Sequence, residues 1–156
     1  MIQISLEIPD RPGELLRAVS LLGAKKVDVK ALFVTRNAGG PTTGFVRMIV
    51  TNPEAAIAAL REGGLTPTKE EVVVAAIEDQ PGGLATALDA LANVGINVTY
   101  AYGFVSRVEG RALAVLGVED PPRASKLLKE AGIKLVDASA QGDSDLAAFV
   151  GGVWNW

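Results

Sequence analysis

Cysteine and histidine are both absent from this 156-residue chain. Without cysteine there is no disulfide, no thiolate zinc site and no thiol nucleophile. Without histidine the chain lacks the side chain that most often acts as general base and as metal ligand, which argues against a hydrolase triad or a zinc enzyme. Aromatic residues make up only 5%, and both tryptophans, Trp154 and Trp156, fall among the last three residues. No cluster of lysine and arginine is dense enough to follow a phosphate backbone, and the net charge is −3, so a nucleic-acid partner is disfavoured. No run approaches the roughly 18 uncharged apolar residues of a membrane span. The first residues read as a strand and not as a basic segment leading into an apolar one, so no signal peptide is expected and the cytoplasm is the expected location. What remains is 49% hydrophobic and 21% charged, the composition of an ordinary globular protein.

Against these absences stands one repeated stretch. Asp10-Arg11-Pro12-Gly13-Glu14-Leu15 returns as Asp79-Gln80-Pro81-Gly82-Gly83-Leu84, at 79 against 10, an offset of 69 residues. A period this long gives each copy room for its own core. Proline presets φ near the start of a helix, glycine allows a sharp bend or a close approach, and an aspartate ahead of them can accept from free helix N–H groups. The stretch therefore reads as a strand-to-helix corner. One reading makes both copies helix starts only, each cap contributing about 1 kcal/mol. The other makes them anion sites, because such a corner presents unpaired N–H groups and the positive end of a helix dipole.

The rest of the chain repeats around the corners. Ile2-Gln3-Ile4-Ser5-Leu6-Glu7-Ile8 alternates apolar and polar residues and predicts a strand with one wet face. Leu15, Leu16, Val19 and Leu22 recur at helical spacing. Residues 27–35 and 44–50 flank a turn at 37–41 and predict a hairpin. Asn52-Pro53-Glu54 opens a second helix with a cap, a proline in the first turn and an acid at the positive end. Residues 66–69 are a short last strand. The second half gives the same β-α-β-β-α-β order through residue 137, with Asp120-Pro121 matching Asn52-Pro53 and Gly132 matching Gly64. The expected architecture is α+β, two ferredoxin-like βαββαβ units in tandem, antiparallel sheets with the helices on one face. The expected domains are 1–70 and 71–137, followed by a tail at 138–156 with a short helix from Ser144. Residues 72–77 are apolar on both strand faces, a buried pattern, so the open face of the second unit is expected to be covered.

The corner, the Gly95-Ile96-Asn97-Val98 run and the strand order together resemble the ACT domain, over about residues 2–137. The Tyr100, Tyr102 and Phe104 run is similar to the second halves of small tandem proteins of that family. The resemblance implies a non-catalytic amino-acid-binding regulatory module that acts allosterically beside a metabolic enzyme, with no cofactor and no metal. It also implies that ligand sits between two units, held by the corner of one and the start of the second strand of the other. Carried onto this sequence, the site residues are Asp10, Arg11, Pro12, Gly13, Asp79, Gln80, Pro81 and Gly82 with Asp28 and Asn97. Leu15, Leu84, Tyr100 and Tyr102 are the candidates to line an apolar pocket, which favours a branched-chain or aromatic amino acid.

The physical reading of these residues agrees. A zwitterion needs N–H donors for its carboxylate and an Asp or Asn oxygen for its ammonium, and both are present. If the units face each other across a pseudo-twofold, the Asp10 corner meets Asn97 and the Asp79 corner meets Asp28. Joining the units through their second strands, however, puts roughly six strand spacings, about 29 Å, between the end of the first unit and Val72. Glu70 and Glu71 cannot span that. Either residues 66–71 exchange strands with the second unit, or a second chain supplies the neighbour, and uncovered sheet faces favour a homodimer.

Tyr100, Tyr102 and Phe104 read as one strand face, together with Ile96 and Val98, either as core aromatics or as an interface pocket. Other functions have less behind them. Similar tandem proteins include small regulatory subunits of acetolactate synthase, but nothing outside the two units points to that enzyme. A constitutive interaction module and an RNA-binding unit share the strand order. The latter needs exposed aromatics on its central strands, and the inner strands of the first unit offer Phe45 alone.

Overall fold

The computed structural model describes residues 1–36, 42–108 and 111–136, with side chains at 105–108 excepted. Asp137 and the tail, including the expected helix from Ser144 and both tryptophans, lie outside the described residues. The chain divides into two compact units, residues 2–70 and Met1 with the chain from Glu71 onward.

The first unit runs β1 (Ile2–Pro9), α1 (Glu14–Ala24), β2 (Val29–Arg36), β3 (Thr43–Val50), α2 (Pro53–Glu62) and β4 (Thr68–Glu71). The second runs β5 (Val73–Glu78), α3 (Gly83–Ala92), β6 (Val98–Val108), β7 (Arg111–Val118), α4 (Pro121–Glu130) and β8 (Lys134–Leu135). Each has one four-stranded sheet, in the orders β2-β3-β1-β4 and β6-β7-β5-β8. Both are ferredoxin-like. Strand β4 lies beside β1 in its own sheet, so the segment at 66–71 is not exchanged with the second unit.

The helices form where the sequence supplies start signals. Asn52 accepts a hydrogen bond from Ala55 N at 3.0 Å, and Asp120 accepts one from Arg123 N at 3.0 Å. Each is followed by a proline in the first turn, whose missing N–H costs nothing there. The apolar stripe of each helix then meets one face of its sheet. In the first unit Ala18 and Leu22 of α1 and Ala56, Ile57 and Leu60 of α2 close on Ile4, Leu6 and Ile8 of β1 and Val46, Met48 and Val50 of β3. In the second, Ala87, Leu91, Ala124 and Leu128 close on Val73, Ala75, Ala114 and Leu116.

Two expectations need correction. The polar face of β1 is wet only at Glu7, since Gln3 and Ser5 are fully buried. They are buried at low cost because Gln3 Nε2 donates to Ser5 Oγ at 3.1 Å and to Glu70 Oε2 at 2.9 Å. The aromatic strand face is the second. Val98 pairs with Val118, but Tyr100 pairs with Gly117, so β6 carries an extra residue at Thr99. A bulge of one residue reverses which face the following side chains take. Val98 and Ile96 pack on the core with the helices, whereas Tyr100 and Tyr102 stand on the opposite face with Gly117 and Val115. The rings of Tyr100 and Tyr102 stack with centroids 6.4 Å apart. Gly117 leaves the room: a Cβ there would sit 2.3 Å from Tyr100 Cζ.

Candidate functional site

Both corners trace the same backbone path. After β1, Arg11 N donates to Pro9 O at 3.0 Å and Glu14 N to Arg11 O at 3.4 Å. After β5, Gln80 N donates to Glu78 O at 2.9 Å and Gly83 N to Gln80 O at 3.0 Å. The helix N-caps are Gly13 and Gly82, in the left-handed region at φ 92° and 91°, and neither helix has a side-chain cap. This corrects the capping role read for Asp10 and Asp79. The aspartates precede the cap by three residues, and the turn itself closes on backbone carbonyls.

The first bond of each helix ladder runs from Arg17 N to Gly13 O at 2.8 Å and from Thr86 N to Gly82 O at 3.1 Å. The amides of Gly13, Leu15 and Leu16 come before it in one unit, and those of Gly82, Leu84 and Ala85 in the other. These are the N–H groups a helix leaves without an internal acceptor, and they sit at its positive end. Each corner thus presents donors suited to a carboxylate.

The side chains differ. Asp10 pairs with Arg36 Nε at 2.5 Å, a partner from the end of β2 that sequence reasoning missed. Arg11 donates through Nε to Glu14 Oε1 at 2.8 Å, and Arg17 lies 3.5 Å from Glu14 Oε2 while also donating to Gly63 O. Glu14 is buried, and the hydrogen bond from Arg11, with help from Arg17, holds its carboxyl below the ordinary value of 4.5 in spite of the opposing effect of burial. The Glu14, Arg17 spacing of three was the available signal, since such residues meet on a helix face, whereas Arg11 reaches Glu14 from the turn ahead of the N-cap. At the second corner Gln80 Nε2 donates to Glu78 Oε2 at 2.6 Å.

Each corner borders a cavity. In the first unit a space of about 170 Å³ lies against Asp10, Arg11, Leu15, Val34 and Arg36. In the second, a space of about 380 Å³ lies against Gln80, Pro81, Gly82, Thr86, Arg111 and Lys134. Leu84 is 40% exposed.

The remaining candidates stand elsewhere in their units. Asp28 precedes β2, accepting from Lys30 Nζ at 2.5 Å and donating its N–H to Thr51 Oγ1 at 3.1 Å. Asp10 is tied to Arg36 at the other end of that strand. Eight residues of strand separate them, about 26 Å. Asn97, Tyr100 and Tyr102 likewise lie at the start of β6, whereas Asp79 follows the end of β5, which runs parallel to it. A corner and a second-strand start cannot meet within one unit. Among the described residues no group of three or more acidic side chains is placed to hold a metal ion.

Residues 1–128 match the model of a protein family described as an ACT domain pair. The chain belongs to the ACT domain family. Among solved structures, this ACT pair is similar to a Bacteroides thetaiotaomicron protein, at 27% identity and a TM-score of 0.80, covering 88% of this chain and 92% of that one. It is also similar in fold to the regulatory subunit of aspartate kinase from Thermus thermophilus in its ligand-free form, at 20% identity and a TM-score of 0.60, over 83% and 91% of the two chains. The corresponding subunit from Thermus flavus gives 17% identity and a TM-score of 0.59, over 84% and 92%. A search of curated proteins finds no match.

Proposed function

We propose that this ACT pair is a non-catalytic amino-acid sensor that regulates a partner metabolic enzyme. The observation that carries the reading is the duplicated corner: each unit holds a left-handed glycine, and the helix amides that precede the first ladder bond, in the same geometry beside a cavity. Those amides receive the ligand carboxylate. Its ammonium goes to Asp28 or Asn97 at the second-strand start of a neighbouring ACT unit, because the strand length keeps both too far from their own corner. Leu15, Leu84, Tyr100 and Tyr102 favour a branched-chain or aromatic side chain, and the chain works as a homodimer in the cytoplasm. The fold it shares with RNA-binding units does not favour RNA here. Phe45 is covered by Arg47, whose Cζ stands 4.4 Å from the ring centroid, and β5 and β7 carry no aromatic residue.

Thermal melting across the twenty amino acids at about 1 mM tests the reading. A ligand at 100 times its Kd adds about 2.7 kcal/mol and moves the midpoint by several degrees. A shift confined to one chemical class is expected, lost or reduced in Asp79→Ala and unchanged in an exposed control such as Lys129→Ala. A flat panel refutes the sensor and leaves a constitutive interaction module. Sedimentation analysis checks the dimer, and a monomer at assay concentration would remove it.

A further inference from the structure

The two corners share a backbone but not what fills the space beside it. In the first unit the groove between the start of α1 and the Gly63-Gly64 turn is occupied by the protein itself. Glu14 lies there with its side chain only 10% exposed, bonded to Arg11 and Arg17, and Arg17 reaches on to the Gly63 carbonyl. The 69-residue offset puts Gln80 at the place of Arg11, Gly83 at that of Glu14 and Thr86 at that of Arg17. The turn becomes Ala131-Gly132. Two long side chains have been replaced by a hydrogen atom and a short hydroxyl, and the cavity of about 380 Å³ opens there, between Gly83 and Thr86 on one side and Ala131 and Gly132 on the other.

The backbone keeps this groove open. A Cβ at Gly83 would stand 2.0 Å from Glu78 O, so no side chain can grow from that position to fill it. Its charged lining is Arg111, Lys134 and Glu78. The carboxylate of Glu78 is already engaged by Gln80, whereas the guanidinium of Arg111 makes no hydrogen bond or ion pair with any described residue. Lys134 has an interaction of its own, so Arg111 is the cation in this lining that is left to meet an anion. In the equivalent space of the first unit, the occupant is a carboxylate between two guanidinium groups.

We propose that the groove between the second corner and the α4–β8 turn binds a small carboxylate, held by Arg111 with Lys134 alongside, in the place that Glu14 and Arg17 fill in the first unit. Among the described residues its counterpart in the first unit is filled by Glu14, so the two units are not equivalent here. The site lies in the cavity that the second corner borders, but it is built from Arg111, Lys134 and the α4–β8 turn and not from the corner amides and a neighbouring unit, so it does not require the sensor reading to hold. An arginine guanidinium receives a carboxylate through two parallel N–H groups, which gives the ligand its chemical class.

Amide NMR spectra of the whole protein, titrated with sodium propionate against sodium chloride at equal ionic strength, test this directly. Propionate is expected to shift Gly83, Thr86, Arg111 and Gly132, leaving Glu14, Arg17, Gly63 and Gly64 in place. Arg111→Ala should weaken the propionate response at least tenfold, with Lys134→Ala as a second variant that weakens it less. Shifts that chloride reproduces, shifts of equal size at both corners, or an unchanged response in Arg111→Ala would each overturn the proposal. A flat amino-acid panel alongside a specific propionate response would remove the sensor and leave this site standing.

Discussion

Three glycines, two at the start of α3 and one inside α1, carry three different physical roles, and alanine at each separates them. Gly82 sits at φ 91° with nothing within 4 Å of a built Cβ, so Gly82→Ala meets only backbone strain. That strain is roughly 1–2 kcal/mol for a left-handed residue, offset by about 0.4–1 kcal/mol from the stiffer unfolded chain. A net loss of about 1 kcal/mol is expected. Gly83→Ala places a methyl group 2.0 Å from the Glu78 carbonyl oxygen, which is backbone and cannot rotate away. The corner must shift, so the loss exceeds that of Gly82→Ala. Gly23 lies inside α1 with ordinary φ and open space around it, and alanine there stabilises by about 0.5–1 kcal/mol. Urea denaturation measures all three: at an ordinary slope of about 1–3 kcal/mol per molar, 1 kcal/mol moves the midpoint by about 0.3–1 M. A Gly82→Ala protein as stable as the parent, or a Gly83→Ala protein no worse than Gly82→Ala, refutes the account of the corner.

Glu14 makes stability depend on acid. Its carboxyl is held below 4.5 in the folded state, so its contribution is fully present above the unfolded value and is lost as pH falls through the folded one. The melting difference between the parent and Glu14→Gln should be largest near neutrality and shrink as pH drops below about 4; a constant difference would point to packing alone. In the core, Leu22→Ala removes a fully buried α1 side chain from the cluster that packs on β1 and β3 and should cost about 2–5 kcal/mol in urea unfolding, whereas Leu16→Ala, at a site 70% exposed, should stay within about 0.5 kcal/mol.

Much of this fold was readable because it is local and repeated. The alternation in residues 2–8, the helical spacing of Leu15 and Leu22 and the caps at Asn52 and Asp120 each depend on neighbours a few residues away, and the corner appears twice. What escaped depends on register. Whether Arg36 meets Asp10 is decided by how β2 pairs with β3 and β3 with β1, and no residue type announces it. The face of Tyr100 and Tyr102 turned on one extra residue at Thr99, which period-two counting passes over. The grouping of candidate residues follows the same rule. Corner residues, contiguous in sequence, stay together, while Asp28 and Asn97 belong to the other end of their sheets. Arg111 and Lys134, which line the larger cavity, are brought to the second corner by strands that arrive late in the chain.

The central position of β1 also bears on how the protein is made. Ile4 pairs with Met48, so β1 leaves the ribosome with no partner in its sheet until more than forty residues later, and its other neighbour, β4, comes last in the unit. Helix α1 can form early, but it has no sheet to rest on. Long-range pairing of this kind slows folding and makes it all-or-none within a unit. The N-terminal unit can close once β4 has emerged, at a time when most of the second unit has yet to be translated. A nascent chain stalled near residue 60 would expose an unpaired apolar β1, and it is at that stage that a chaperone has something to hold.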